Sequence, residues 1–304
     1  MSSAKSLDAL RREIDTVDGA IQDLLIERTR IVERIRRVKG DGEAHLRPGR
    51  EARILRALMA RHRGAFPKGA LVRIWREIIG VFVGLQGPFS VAVYDPPGRC
   101  GFGDLARGQY GSIAPMTGFA SVRQVLDSVM RGDATVGVLP MPGRDDDDPW
   151  WPHIASEEPT MPRVVARLPF AGSGNARDGV TEALVIGRVT PESTGRDRTF
   201  LVLDAHREFS LLTLAPALAE AGLATTLTAS WGDPHAPGTW LYLAEVDDFV
   251  DAADRRLVRL LEGGLRPVRR VIVMGSYAVP LTAAELAPAP KARRRGVAGP
   301  KAAS

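Results

Sequence analysis

Residues 7–38 have the sequence LDALRREIDTVDGAIQDLLIERTRIVERIRRV, and this stretch decides the fold of the first part of the 304-residue chain. Its apolar residues recur in alternating steps of three and four, the spacing of a heptad repeat on one face of a long helix. Arg28 is the one position of the repeat without an apolar side chain. The pattern predicts a single helix over residues 7–38. Its apolar seam consists of Leu7, Leu10, Ile14, Val17, Ile21, Leu24, Ile31, Ile35 and Val38.

The next fifty residues predict two further helices. A break at Arg47-Pro48-Gly49 precedes a helix over residues 50–63, and a turn at residues 66–69 precedes a helix over residues 70–86. Gly87-Pro88 ends this part of the chain. We therefore expect an all-helical domain of three helices in residues 1–88.

Beyond residue 88 the pattern changes to short apolar runs that alternate with short helical segments. Such alternation is typical of an α/β or α+β fold, so the whole chain is expected to be multi-domain. Gly101-Phe102-Gly103 and Gly172-Ser173-Gly174 are interpreted as loops. The strands are expected at residues 90–94, 135–139, 163–166, 182–186, 199–203, 240–246 and 268–274, and the helices at residues 121–130, 215–221 and 255–261.

Composition excludes several classes of function. The net charge of +5 is divided between the first helical region and the tail segment Lys291–Arg295, without interleaved aromatic residues, so we do not expect nucleic-acid binding. No segment is apolar enough for a signal peptide or a membrane span. The single cysteine, Cys100, fits a reducing compartment, and we expect the cytoplasm. The five histidines show no metal-ligand spacing, so no metal is expected.

An arginine inside an apolar seam is costly to bury unless an opposite charge compensates it. No acidic residue occupies a neighbouring position of the seam. Two interpretations of Arg28 are therefore open. Its side chain extends to solvent or pairs with a glutamate of another helix, or it forms a buried binding site for an anion.

Further cations favour the anion site. Lys39 lies roughly 16 Å beyond Arg28 on nearly the same face of the helix, so both side chains can contact one small dianion. Arg11 lies roughly 25 Å before Arg28 on the same helix. It can reach that anion only from a second, antiparallel copy of the chain. If Arg11 belongs to the site, the spacing predicts a homodimer.

These segments resemble, in spacing and residue type, the three helices of the all-helical class of chorismate mutases. The resemblance covers residues 7 to 87 without a large gap, and it is specific as a set although each piece is weak alone. The segments that carry it are Ala9-Leu10-Arg11, Leu24-Leu25-Ile26-Glu27-Arg28, Val38-Lys39, Arg47-Pro48-Gly49-Arg50-Glu51, Ile74-Trp75-Arg76-Glu77-Ile78-Ile79 and Leu85-Gln86.

The resemblance implies an isomerase of the shikimate pathway that converts chorismate to prephenate for aromatic amino acid biosynthesis. This pericyclic rearrangement needs no nucleophile, metal or other cofactor, only a compact substrate conformer and stabilised charge on the breaking ether oxygen. By resemblance, Arg28 and Arg11 of the partner subunit bind the carboxylates, Lys39 and Gln86 donate to the ether oxygen, Glu51 accepts from the ring hydroxyl, and Arg50 supports that region.

Two positions depart from the family pattern. An acidic residue is common where Arg47 stands, and a small residue, often serine, is common where Phe82 stands. The second change removes a hydrogen bond and adds bulk near a carboxylate. Both changes put rate and affinity in doubt more than the type of reaction.

The rest of the chain is weakly similar to a prephenate dehydratase domain followed by a regulatory ACT domain. The expected division is a dehydratase-like domain over 89–198, an ACT-like domain over 199–284 and a disordered basic tail over 285–304. The dehydratase's Asn-Ser loop is replaced by Met141-Pro142-Gly143, and its Thr-Arg pair by Arg198-Thr199. The resemblance thus implies a degenerate, non-catalytic module.

Three hypotheses follow. The leading one is a monofunctional chorismate mutase that acts on chorismate as a homodimer. The second is a bifunctional chorismate mutase–prephenate dehydratase. The third, from another class, is a helical dimer without catalysis that regulates another shikimate-pathway enzyme; the joint presence of the site residues argues against it.

Overall fold

A computed structural model describes residues 6–39, 46–98, 101–144, 146, 148–172, 182–233, 236, 238–262 and 267–287. Three helices come first, and a mixed sheet with five further helices follows. The helices are α1 (Leu7–Lys39), α2 (Pro48–Arg61), α3 (Lys68–Gln86), α4 (Phe102–Tyr110), α5 (Val122–Arg131), α6 (Leu211–Glu220), α7 (Arg255–Glu262) and α8 (Ala283–Leu286). The strands are β1 (Val91–Tyr94), β2 (Met116–Phe119), β3 (Val136–Pro140), β4 (Arg163–Leu168), β5 (Ala183–Gly187), β6 (Asp197–Ala205), β7 (Thr225–Gly232), β8 (Trp240–Val246) and β9 (Val268–Ala278).

The three predicted N-terminal helices are confirmed, with ends within two residues of those expected. Helix α1 is 33 residues long, and Val32 is its one buried residue among those described. The apolar seam of α1 is exposed to solvent along its whole length, from Leu7 to Val38. Helices α2 and α3, by contrast, bury apolar faces against the rest of the chain.

The all-helical architecture is confined to the N-terminal region and does not describe the whole chain, because a nine-stranded sheet follows. Its strand order is β2-β1-β3-β5-β4-β9-β6-β8-β7. The expected boundary at residue 198 lies inside strand β6, and strand β9 pairs with both β4 and β6. The strands of both expected C-terminal domains therefore form one continuous sheet, while the division into two units stays a prediction.

The C-terminal half of the sheet has the connectivity β6-α6-β7-β8-α7-β9, a split β-α-β arrangement of the ferredoxin type. Helices α6 and α7 cover one face through Leu214, Leu218, Leu257 and Leu260. The expected tail begins too early, because Glu285 lies in helix α8 and forms an ion pair with Arg196. Residues 288–304 lie outside the described residues.

Four elements are absent from the sequence-based prediction: helices α4 and α8 and strands β2 and β7. The interpretation of Gly101-Phe102-Gly103 as a loop is wrong, since α4 begins at Phe102. Gly101 stands directly before that helix with a φ of 117°, a conformation that favours glycine. Of the second glycine motif, Ser173 and Gly174 lie outside the described residues.

The helical region packs closely on the sheet region. Gly80 of α3 lies so near the end of α4 that an added Cβ would stand 2.1 Å from the carbonyl oxygen of Tyr110. On the other side, Ala52, Leu55 and Met59 of α2 share one apolar cluster with Phe170 and Leu281. Helix α2 therefore packs on the sheet region through this cluster, and α3 contributes Val72 to it and Ile79 and Val83 to a second cluster.

Candidate active site

Arg28 lies on an aromatic surface formed by helix α3. Its guanidinium carbon is 4.0 Å from the ring centre of Phe82 and 6.0 Å from that of Trp75. These two rings are seven residues apart, so they lie on the same face of α3. The Nη1 atom of Arg28 is buried and makes no hydrogen bond within the described part of the chain. Within the described residues, this half-buried arginine therefore neither extends freely into solvent nor pairs with a glutamate.

The electrostatics around Arg28 favour a negatively charged ligand. Burial lowers the pKa of Arg28, and the positive charge of Arg50 lowers it further. In the residues that the structure describes, neither arginine forms an ion pair with a carboxylate. A guanidinium group remains charged under such conditions, because its ordinary pKa is far above the neutral range. Two neighbouring cations without a counter-charge are the electrostatic requirement for binding an anion.

The structure places three other predicted site residues at different points of helices α1 and α3. Gln86 lies one helical turn after Phe82 and donates its side-chain amide to the Phe82 carbonyl oxygen at 2.9 Å. Lys39 is the half-buried last residue of α1. Arg11 is exposed and pairs with Asp8 at 3.3 Å, near the far end of the same helix. One chain therefore does not bring Arg11 to Arg28.

Glu51 is buried at the contact between α2 and α3, and its Oε2 accepts a hydrogen bond of 2.9 Å from Arg76. Burial raises the pKa of Glu51, and the charge and hydrogen bond of Arg76 counteract part of that rise. The guanidinium of Arg76 also lies over the ring of Phe170, 5.0 Å from its centre. Arg76 was not predicted as a site residue, although it stands within an apolar run of α3 just as Arg28 stands within the apolar seam of α1.

Comparison with known proteins assigns this helical region. Residues 10–87 match a family model described as chorismate mutase type II. The helical region is a chorismate mutase domain. All six predicted site residues (Arg11, Arg28, Lys39, Arg50, Glu51 and Gln86) lie within the matched range.

Curated relatives carry a mutase domain in a longer chain. A bifunctional chorismate mutase/prephenate dehydratase of Pseudomonas aeruginosa is 32% identical over 147 residues, which are 46% of this chain and 40% of the relative. The enzyme of the same description from Aquifex aeolicus is 32% identical over 143 residues, 45% of this chain and 39% of the relative. The matched stretch thus spans less than half the length of these relatives.

The fold comparison finds prephenate dehydratases. The solved structure from Streptococcus mutans aligns with 64% of this chain and 100% of its own, with a TM-score of 0.46 and 14% sequence identity.

The structure explains the two departures of the mutase domain from the family pattern. Arg47 forms an ion pair with Glu192, so it ties the start of α2 to the segment before β6. Phe82 provides the ring beneath Arg28, so its bulk supports the cation that a small residue would leave without a platform. Neither departure introduces a group that repels an anion at Arg28.

Outside the mutase domain, Arg198 and Thr199 are engaged by the protein itself. The hydroxyl of Thr199 is buried and contacts Ser276 Oγ at 2.8 Å and the Asp248 carbonyl oxygen at 2.8 Å. Arg198 pairs with Asp247 at 3.0 Å. Both side chains are thus held by contacts within the described part of the chain.

The described residues lack the features of two other kinds of site. They contain no cluster of three or more His, Cys, Asp or Glu side chains able to hold a metal ion. None of their helices combines the length and the apolar character that a membrane crossing requires.

Proposed function

We propose that the protein catalyses the rearrangement of chorismate to prephenate in its helical domain. The observation that carries this proposal is Arg28, a half-buried cation on the Phe82 ring with a buried, unpartnered Nη1 and a second cation, Arg50, beside it. A dicarboxylate is the ligand that such a site accepts best, because planar guanidinium groups match carboxylates with paired hydrogen bonds.

We also propose that the active form is a homodimer in which α1 of one chain packs antiparallel on α1 of the other. The exposed apolar seam of α1 supports this, since a monomer rarely leaves such a long apolar stripe in water. Ile74, Val81 and Leu85 of α3 are exposed as well, at 47%, 38% and 46%, and extend the surface beside α1.

The roles of the site residues follow from this arrangement. Arg28 and Arg11 of the partner subunit bind the two carboxylates and hold the compact conformer of the substrate. Lys39 and Gln86 donate to the ether oxygen as charge develops there, and Gln86 exchanges its bond to the Phe82 carbonyl oxygen for the substrate. Glu51 accepts from the ring hydroxyl. No covalent intermediate forms.

The first test is consumption of chorismate by the full chain, with Lys39→Ala as the variant. Lys39→Ala should lower kcat by about a hundredfold or more, since it removes a cation that acts on the transition state. Arg61→Ala, an exposed arginine at the end of α2, is the matched control and should retain activity. An inactive wild-type chain would refute the proposed function.

The shared site has its own test. Arg11→Ala and Arg28→Ala chains should each be inactive, yet a mixture should recover activity. A mixed dimer holds one intact site and one site with both arginines missing. Random exchange should therefore restore about a quarter of the wild-type sites. No recovery after verified subunit exchange would show that Arg11 does not act across the interface.

The second candidate is a bifunctional chorismate mutase–prephenate dehydratase. It is favoured by the relatives of that description, whose aligned stretch of 147 residues extends beyond the mutase domain. It is opposed by Thr199, whose hydroxyl is consumed by contacts within the protein. Formation of phenylpyruvate from prephenate would establish it. We keep the cytoplasm as the proposed location, which cell fractionation can check.

A further inference from the structure

The ion pair of Glu51 and Arg76 connects the proposed substrate site to the sheet region. Glu51 is 7% exposed and Arg76 3%. Arg76 Nη1 donates to Oε2 of Glu51 at 2.9 Å, and the ring of Phe170 lies against the guanidinium. Phe170 follows strand β4, almost a hundred residues further along the chain. The environment of Glu51 is thus completed by a part of the chain outside the mutase domain.

A buried carboxylate without a compensating cation takes up a proton, because burial penalises the charged form. The groups that act on Glu51 are Arg76 from α3 and Tyr110 from α4. Tyr110 carries no compensating charge, since burial raises its pKa far above the neutral range. Arg76 is therefore the group that opposes protonation of Glu51.

The geometry of the pair leaves one oxygen of the carboxylate available. Arg76 contacts Oε2, and within the described residues the carboxylate of Glu51 has no other hydrogen bond. An ionised carboxylate accepts through both oxygens, whereas a protonated one presents a donor on one of them. The ionised form is the stronger acceptor for a substrate hydroxyl, because hydrogen bonds to a charged group are stronger than neutral ones.

We propose that Arg76 is a positioning residue of the mutase site, which keeps Glu51 ionised through Oε2 and leaves Oε1 to accept from the ring hydroxyl of the substrate. This inference rests on the proposed function, because it assigns Glu51 to chorismate. Arg76 itself does not contact the substrate. Phe170 supports Arg76 from the sheet region, so the state of Glu51 depends on that region.

The test compares pH profiles of kcat/KM for chorismate in the full-length chain. Arg76→Met should lower kcat/KM at neutral pH by about tenfold or more and move the acid limb of the profile to higher pH. Arg76→Lys, which keeps the charge, should restore most of the wild-type profile. Arg61→Met on the exposed end of α2 is the matched control and should keep the wild-type profile. A purely structural role would lower activity equally at every pH.

Arg76→Met leaves a buried carboxylate unpaired and can therefore fail to fold, so a double-mutant cycle completes the test. Glu51→Gln and Glu51→Gln/Arg76→Met contain no unpaired carboxylate at this position. If Arg76 acts through Glu51, these two variants should have equal kcat/KM. A folded double variant that is at least tenfold less active than Glu51→Gln would overturn the inference.

The outcomes separate this inference from the proposed function. If the wild-type chain does not consume chorismate, the proposed function fails and this inference fails with it. If the wild type is active while folded Arg76→Met keeps the wild-type pH profile, the proposed function stands and the positioning role of Arg76 is refuted.

Discussion

Replacement of Ile21 by aspartate tests the dimer at its most sensitive point. Ile21 lies on the apolar seam, close to the midpoint between Arg11 and Arg28. In an antiparallel pair that brings Arg11 to Arg28 of the other chain, this midpoint lies near the two-fold axis, so the two copies of residue 21 are neighbours. Ile21→Asp therefore places two carboxylates together in the apolar interface.

The size of the effect follows from exposure. The nine seam residues are each 40–88% exposed. At roughly 170 Å² for a whole residue, they leave on the order of 800 Å² uncovered per chain, about what one partner contributes to a stable interface. Ile21 is 52% exposed. The dimer would bury the exposed half of the Ile21 side chain, so Ile21→Asp removes about 1 kcal/mol of burial energy in each copy. The two adjacent carboxylates destabilise the interface further. We therefore expect the free energy of dimerisation to become less favourable by about 3 kcal/mol in total. This raises the Kd of the dimer by about a hundredfold or more.

Sedimentation velocity over a wide range of concentration should show a wild-type dimer and a largely monomeric Ile21→Asp chain. Chorismate consumption should fall in parallel and recover as the concentration rises. Val258→Asp on α7, where the native valine is 54% exposed, is the matched control and should change neither result. A monomeric wild type, or an Ile21→Asp chain with the wild-type Kd, would refute the reasoning.

Three further predictions concern the site and the stability of the fold. Phe82→Leu removes the aromatic face 4.0 Å from Arg28 and should lower kcat/KM for chorismate about three- to tenfold in protein that is folded at the assay temperature; an unchanged kcat/KM would contradict the platform role. Gly275→Ala adds a Cβ 2.3 Å from the Val164 carbonyl oxygen at a φ of 141°. The free energy of unfolding, measured by chemical denaturation, should therefore fall by about 3 kcal/mol or more. The control Gly69→Ala, which has open space around the added Cβ, should not lower it. Glu285, whose pKa the Arg196 side chain lowers to about 2, stabilises the fold above its unfolded pKa and loses this effect as the pH falls toward 2. The Tm difference between wild type and Glu285→Gln should therefore shrink from pH 7 to pH 3, and a constant difference would contradict the assignment.

The helices of the mutase domain could be predicted from sequence because their determinants are local. The heptad spacing fixes α1, and the break around Pro48 fixes the start of α2. Strand β7 was missed because its side chains are mostly half-buried at the edge of the sheet, which weakens the alternation of apolar and polar residues. Helix α4 was missed because Gly101 and Gly103 indicate a turn when taken alone.

The features of the site also divide into those that local sequence predicts and those that depend on long-range packing. Arg28 was found because an unmatched charge in an apolar seam is visible in sequence. The position of Phe82 beneath it depends on the rotation of α3 relative to α1, which no local pattern encodes. The pairing of Glu51 with Arg76 depends in addition on Phe170, a residue brought there by the path of the sheet. Long-range packing therefore determines how the predicted cations are supported.

The contacts of α2 with the sheet region limit how this chain can be divided. Arg56 donates to Thr194 Oγ1 at 2.8 Å, to the Arg196 carbonyl oxygen at 2.9 Å and to the Val279 carbonyl oxygen at 2.7 Å. A fragment that ended at residue 88 would lose these three acceptors and leave the apolar side of α2 in water. The sheet region thus supports the mutase helices through α2. Moving these helices into another protein would require a replacement for these contacts.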